Sequence, residues 1–82
     1  MTMRKKESRF IIVFPSTTAA MALQSACEKE GLSGRLIPLP PQIRAGCGLA
    51  WCCRLADEEK LRAFIDTQSL EIEDFHYVDL LV

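Results

Sequence analysis

The chain has little histidine and no excess of charge. His76 is the only histidine in 82 residues, which excludes a His-rich metal site and a triad built on several histidines. It falls in an apolar stretch near the C-terminus and reads as a surface or core histidine, not a catalytic base. Ten Lys and Arg side chains face 11 Asp and Glu, for a net charge of −1. That balance argues against a strongly basic nucleic-acid binder. Long hydrophobic runs are missing too. The longest near the start is Phe10 to Phe14, far short of the ~20 residues that span a bilayer. There is no internal repeat, no low-complexity segment and too little chain for two domains. Glu58 and Glu59 begin a helix and read as solvated partners of its dipole, so no acid/base pair stands out.

What is present is ordinary globular composition, 49% hydrophobic. A domain this small buries roughly 60–65% of its unfolded surface. Arg4-Lys5-Lys6 precedes an apolar stretch and Ala20-Met21-Ala22 imitates a signal-peptidase site. Glu7, Arg9 and Pro15 interrupt that pattern, and cleavage would delete the best strand, so a signal peptide is rejected. A cytoplasmic protein with reduced thiols is the expectation, with no membrane association. Of the four cysteines, Cys27, Cys47, Cys52 and Cys53, the adjacent pair argues against a disulfide framework, since neighbours bridge only with strain.

Residues 1–8 are polar and basic and read as a flexible N-terminal tail, leaving 9–82 as a single domain. Phe10-Ile11-Ile12-Val13-Phe14 shows no alternation and reads as a central strand covered on both faces. Pro15 stops it, and Ser16-Thr17-Thr18 offers N-cap hydroxyls. Ala20, Leu23 and Cys27 fall at helical spacing, and Gly31 closes that helix. Arg35 to Pro38 reads as a short edge strand. Leu49 to Arg54 alternates, with Leu49, Trp51 and Cys53 on one face and Ala50, Cys52 and Arg54 on the other. Asp57-Glu58-Glu59 begins a second helix with Leu61, Phe64 and Ile65 as its stripe. Phe75 to Val82 is the last strand.

The order β-α-β-β-α-β predicts an α+β fold of the ferredoxin-like split β-α-β type, a two-layer sandwich. Its four-stranded antiparallel sheet carries both helices on one face. The end of strand one, the start of helix one and the connection between strands two and three then share one edge of the sheet. That brings Ser16, Thr17 and Cys47 together. Strands one and four are apolar on both faces, so the face without helices is expected to stay partly apolar and to pair with another chain as a homodimer.

Gly46-Cys47-Gly48 leaves a thiol unshielded by neighbouring side chains. A nearby helix N-terminus, with Arg44 adding charge, favours thiolate over thiol and raises reactivity. The same features suit a small anion or a persulfide. The bland alternative is a loop cysteine of no consequence. Cys27 reads as a small buried hydrophobe and Cys53 as core. Cys52 points the other way and is a candidate resolving thiol for Cys47. A metal site from Cys47, Cys52, Cys53 and His76 has enough ligands, but C-x4-C-C is no usual metal knuckle. Neither a metal nor a cofactor is therefore expected.

Three motifs in order carry a resemblance: Phe14-Pro15-Ser16-Thr17, Leu36-Ile37-Pro38-Leu39-Pro40 and Cys47-Gly48. Together they resemble the selenium/sulfur carrier-like family of small bacterial proteins over roughly residues 9–80. The resemblance implies a carrier that holds sulfur or selenium on Cys47 as a persulfide or selenosulfide. It implies donor and acceptor proteins as partners, with Ser16 and Thr17 as the helix-capping hydroxyls. Arg44, Gly46 and Gly48 complete the candidate site. Cys52 and Cys53 are additions to the family's pattern. Such a carrier is an accessory protein, not a stand-alone enzyme. The alternatives are a regulatory or ligand-binding module of the same fold, a metal chaperone and a structural interaction module.

Overall fold

A computed structural model describes residues 6–43 and 48–81. Strand β1 (Lys6–Val13) leads through Pro15 into helix α1 (Thr17–Glu30). Strand β2 (Arg35–Pro38) and strand β3 (Leu49–Arg54) follow. A 3₁₀ turn at Leu55–Asp57 opens helix α2 (Glu58–Gln68), and strand β4 (Asp74–Leu81) ends the fold. The sheet order is β2-β3-β1-β4, and every neighbouring pair is antiparallel. The protein is α+β, with one four-stranded antiparallel sheet and two helices.

Phe10 to Phe14 is fully buried, and the register shows why both faces of β1 are apolar. Phe10 and Ile12 pair with Cys53 and Trp51, and Ile11 and Val13 with Cys52 and Ala50. Phe10, Ile12, Phe14, Trp51 and Cys53 pack with Ala20, Leu23 and Cys27 of α1 and Leu61 and Ile65 of α2. Both helices therefore cover this one face. Each helix ends where the residues dictate. The Ser16 hydroxyl accepts from Ala19 N–H at 3.1 Å, and Gly31 closes α1 in the left-handed region at φ 69°, where a Cβ would be strained. Helix α2 is tied to the sheet through Arg62. Its guanidinium lies 4.2 Å from the Phe75 ring centroid and 5.0 Å from that of Phe10. Its Nε donates to Glu58 at 2.8 Å, and Tyr77 also donates to that carboxylate. Glu58 thus joins a specific network besides facing the helix dipole.

Two sequence expectations are corrected. Lys6, Glu7 and Ser8, read as tail, are strand: they pair with Leu81, Leu80 and Asp79. The eight-residue β4 gives them a partner ladder, which their polarity did not advertise. The face without helices is also not left open as an apolar patch. Ile11, Val13 and Ala50 pack with Ile43 and Val78, and with Leu39 and Ile37 at the margin. Leu39 and Ile43, after β2, close over this face. Among the described residues, the exposed large hydrophobics are Met21, Leu55 and Tyr77, which lie on α1, the 3₁₀ turn and β4.

Trp51 fixes the segment before β2. A Cβ built on Gly34 would lie 2.7 and 2.9 Å from Cε2 and Cζ2 of the indole, and Gly34 has φ 128°. Only a residue without a side chain fits there. Gly34→Ala is expected to lower stability by about 2–4 kcal/mol, combining overpacking with backbone strain. Urea denaturation followed by Trp51 fluorescence measures it.

Candidate functional site

Of the site expected from sequence, Ser16, Thr17 and Gly48 lie at the end of the sheet where β1 stops and β3 starts. Val13 pairs with Ala50, so Gly48, two residues before Ala50, and Ser16, three after Val13, stand at the same end. Pro38 pairs with Leu49, and Leu39 N–H donates to Gly48 O at 2.9 Å, which brings the end of β2 there as well. Arg44, Gly46 and Cys47 lie outside the described residues. Gly48 is described: its φ is 88°, and a Cβ there would meet nothing within 4 Å. Backbone conformation, not crowding, is what calls for glycine at 48.

The N-terminus of α1 is polar and open. Ser16, Thr17 and Thr18 are exposed. The Ser16 hydroxyl is committed to Ala19 N–H and the Ser16 carbonyl to Ala20 N–H. No acidic residue occupies the first turn, so no carboxylate of its own neutralises the positive end of the helix dipole. An anion brought to this end would meet exposed hydroxyls and helix N–H groups.

The remaining thiols divide by environment. Cys27 is buried against the sheet, and burial pushes its thiol up to about 11. Cys53 is pushed up to about 12, first by burial and then by Asp57 and other nearby acidic groups. Both are inert small hydrophobes in the core, as their positions on α1 and β3 predict. Cys52 faces away from the helices and is half-buried. Burial raises its thiol, while Arg9 and Arg35 pull the other way. Four residues of extended chain place it about 13 Å from Gly48. A disulfide needs Cα atoms within about 7 Å, so pairing with a thiol next to Gly48 in one chain would require the start of β3 to give way.

His76 Nε2 lies 3.3 Å from Asp74 at the half-exposed end of β4. Among the described residues, no group of three His, Cys, Asp or Glu side chains is arranged to hold a metal. None of the helices described is long and apolar enough to cross a membrane.

The family described as "Putative Se/S carrier protein-like" matches residues 9–77. The chain belongs to that family. No curated protein and no solved structure matches it.

The buried thiols set an alkaline limit on the fold. Cys27 and Cys53 rise from 9.0 in the free side chain to about 11 and about 12 in the folded protein. Below pH 9 both states hold the proton and neither thiol affects the balance. Between pH 9 and 11–12 the unfolded chain releases protons that the folded chain keeps, so stability falls as pH rises. Each thiol contributes a slope of up to about 1.4 kcal/mol per pH unit. Urea midpoints measured from pH 8 to 11 should decline, and less steeply in Cys53→Ala once both series are normalised at pH 8. Under native conditions at pH 8, mass-mapped alkylation should leave Cys27 and Cys53 unlabelled while Cys52 reacts slowly.

Proposed function

We propose that this protein is a sulfur or selenium carrier that loads its cargo on Cys47. Membership in the selenium/sulfur carrier-like family carries the reading. The open N-terminus of α1, at the same end of the sheet as Gly48, supports it. We read the strand order β2-β3-β1-β4 as the ferredoxin-like split β-α-β arrangement, which sets those pieces at one edge.

The step is a transfer of one sulfane sulfur. The Cys47 thiolate attacks the outer sulfur of a donor persulfide, R–S–SH. A new S–S bond forms on Cys47, the donor's S–S bond breaks, and R–S⁻ leaves with the electron pair. The cargo proton stays on the transferred sulfur or is lost to solvent. An acceptor thiolate reverses the step and regenerates Cys47. Selenium follows the same balance when the donor is a selenosulfide, R–S–SeH, whose S–Se bond breaks as R–S⁻ leaves. The helix N-terminus, Ser16, Thr17 and Arg44 would stabilise the thiolate before attack and the persulfide anion after it. Gly46 and Gly48 would keep the sulfur accessible to the partner's active site. Donor and acceptor proteins supply the rest of the chemistry. In this reading the protein works in the cytoplasm, where free thiols persist.

Intact-mass spectrometry after incubation with a polysulfide donor tests it. The wild-type chain should gain one sulfur, removable by a reductant. Cys47→Ser should gain none, and Cys52→Ser should load as wild type does. Equal loading of Cys47→Ser, or no loading of the wild type, would reject the carrier.

A further inference from the structure

The helix-free face of the sheet has two halves of opposite character. Toward Val13 and Ala50 it is apolar and covered by the connection through Ile43. Toward the other end it is a groove of about 330 Å³ whose lining includes Arg9, Arg35, Arg54, Cys52 and Leu80. The sheet register builds it from distant parts of the chain. Arg9 pairs directly with Arg54 across β1 and β3, and Arg35 pairs with Cys52 across β2 and β3. Side chains two residues apart on one strand share a face, so all three guanidinium-bearing residues stand around Cys52.

This arrangement carries an electrostatic cost. Like charges directly opposite on neighbouring strands repel, yet Arg9 and Arg54 are such a pair. The Arg9 side chain is only 19% exposed and meets Glu7 at 3.4 Å, a carboxylate that is itself 54% exposed. Arg54 turns to Asp57 at 3.2 Å. Among the described residues, Arg35 has no carboxylate within salt-bridge distance. The groove holds more positive charge than its own carboxylates balance. Cys52, held neutral by burial, adds a thiol and no negative charge.

We propose that this groove binds the dianionic head of a small phosphate monoester. Guanidinium forks match phosphate oxygens in pairs, which a single ammonium cannot do. A dianion at this point relieves the repulsion between Arg9 and Arg54 and supplies Arg35 with a partner. The volume exceeds what a bare oxyanion fills and falls in the range of small-molecule sites. Leu80 gives the organic part an apolar wall. The site stands at the opposite end of β3 from Gly48, and it is independent of sulfur loading at Cys47.

Amide NMR titration of the full chain tests it, at constant ionic strength set with chloride and at a pH where phosphate is mainly dianionic. Inorganic phosphate and phenyl phosphate are the probes. The expected result is saturable shifts at Arg9, Arg35, Cys52 and Arg54, with phenyl phosphate half-saturating at the lower concentration. Arg35→Gln, an exposed change, should raise that concentration about tenfold or more, as expected for loss of a charged hydrogen bond, with the spectrum otherwise native. Shifts that do not saturate, that chloride reproduces, or that centre on Thr17 and Thr18 would overturn the proposal. So would unchanged binding by Arg35→Gln, or binding of inorganic phosphate without phenyl phosphate.

Discussion

The fold depends on one buried strand segment. Phe10 to Phe14 has no solvent exposure on either face, and β1 sits between β3 and β4 in the sheet. A two-layer protein with both helices on one side can bury only half of such a strand. The second half is buried here by irregular chain: Leu39 and Ile43, after β2, close over Ile11, Val13 and Ala50. Leu39 and Ile43 are therefore part of the core and not only of a connection. Leu39 also donates its N–H to Gly48 O, next to the first residue of β3.

That coupling explains which parts of the structure were legible in the residues. The Phe10 to Phe14 run, the Ser16 cap and the Gly31 stop locate β1 and α1 because each is a local signal with a local cause. The alternation from Leu49 to Arg54 places Trp51 and Cys53 inward and Cys52 outward for the same reason. The role of Ile43 was not legible. An isolated apolar residue in a Pro-rich connection has no period to read, and its burial depends on chain far away in sequence. Lys6 to Ser8 carry no strand signal of their own, because polar residues at the end of a strand are ordered by their partner. Here that partner is β4, more than 70 positions away. Trp51 against Gly34 belongs to the same class: the glycine's backbone angle is visible only once the indole is in place.

The candidate sites show the same division. Ser16, Thr17 and Gly48 could be brought to one end by strand direction alone, because β1 and β2 both run antiparallel to β3. The cluster around Cys52 could not. Arg9, Arg35 and Arg54 are each unremarkable singly, and as a set they look like scattered solubilising charge. Register brings them together. A slip of one residue would turn every member of a strand to the other face. The apolar contacts of Ile11 and Val13 on this same face forbid that slip, so the hydrophobic half of the face fixes the charged half.

This dependence gives β3 a polarity along its length. Its start stands at the same end of the sheet as the N-terminus of α1, where backbone N–H groups provide partial positive charge. At its far end β3 meets full guanidinium charges. Between the two lie Ala50 and Trp51, both buried. Helix-end partial charge is screened within about one Debye length, roughly 8–10 Å at ordinary salt. The extended chain from Gly48 to Cys52 already exceeds that length. Charge at either end therefore acts locally, so the guanidinium groups around Cys52 do not act on the start of β3.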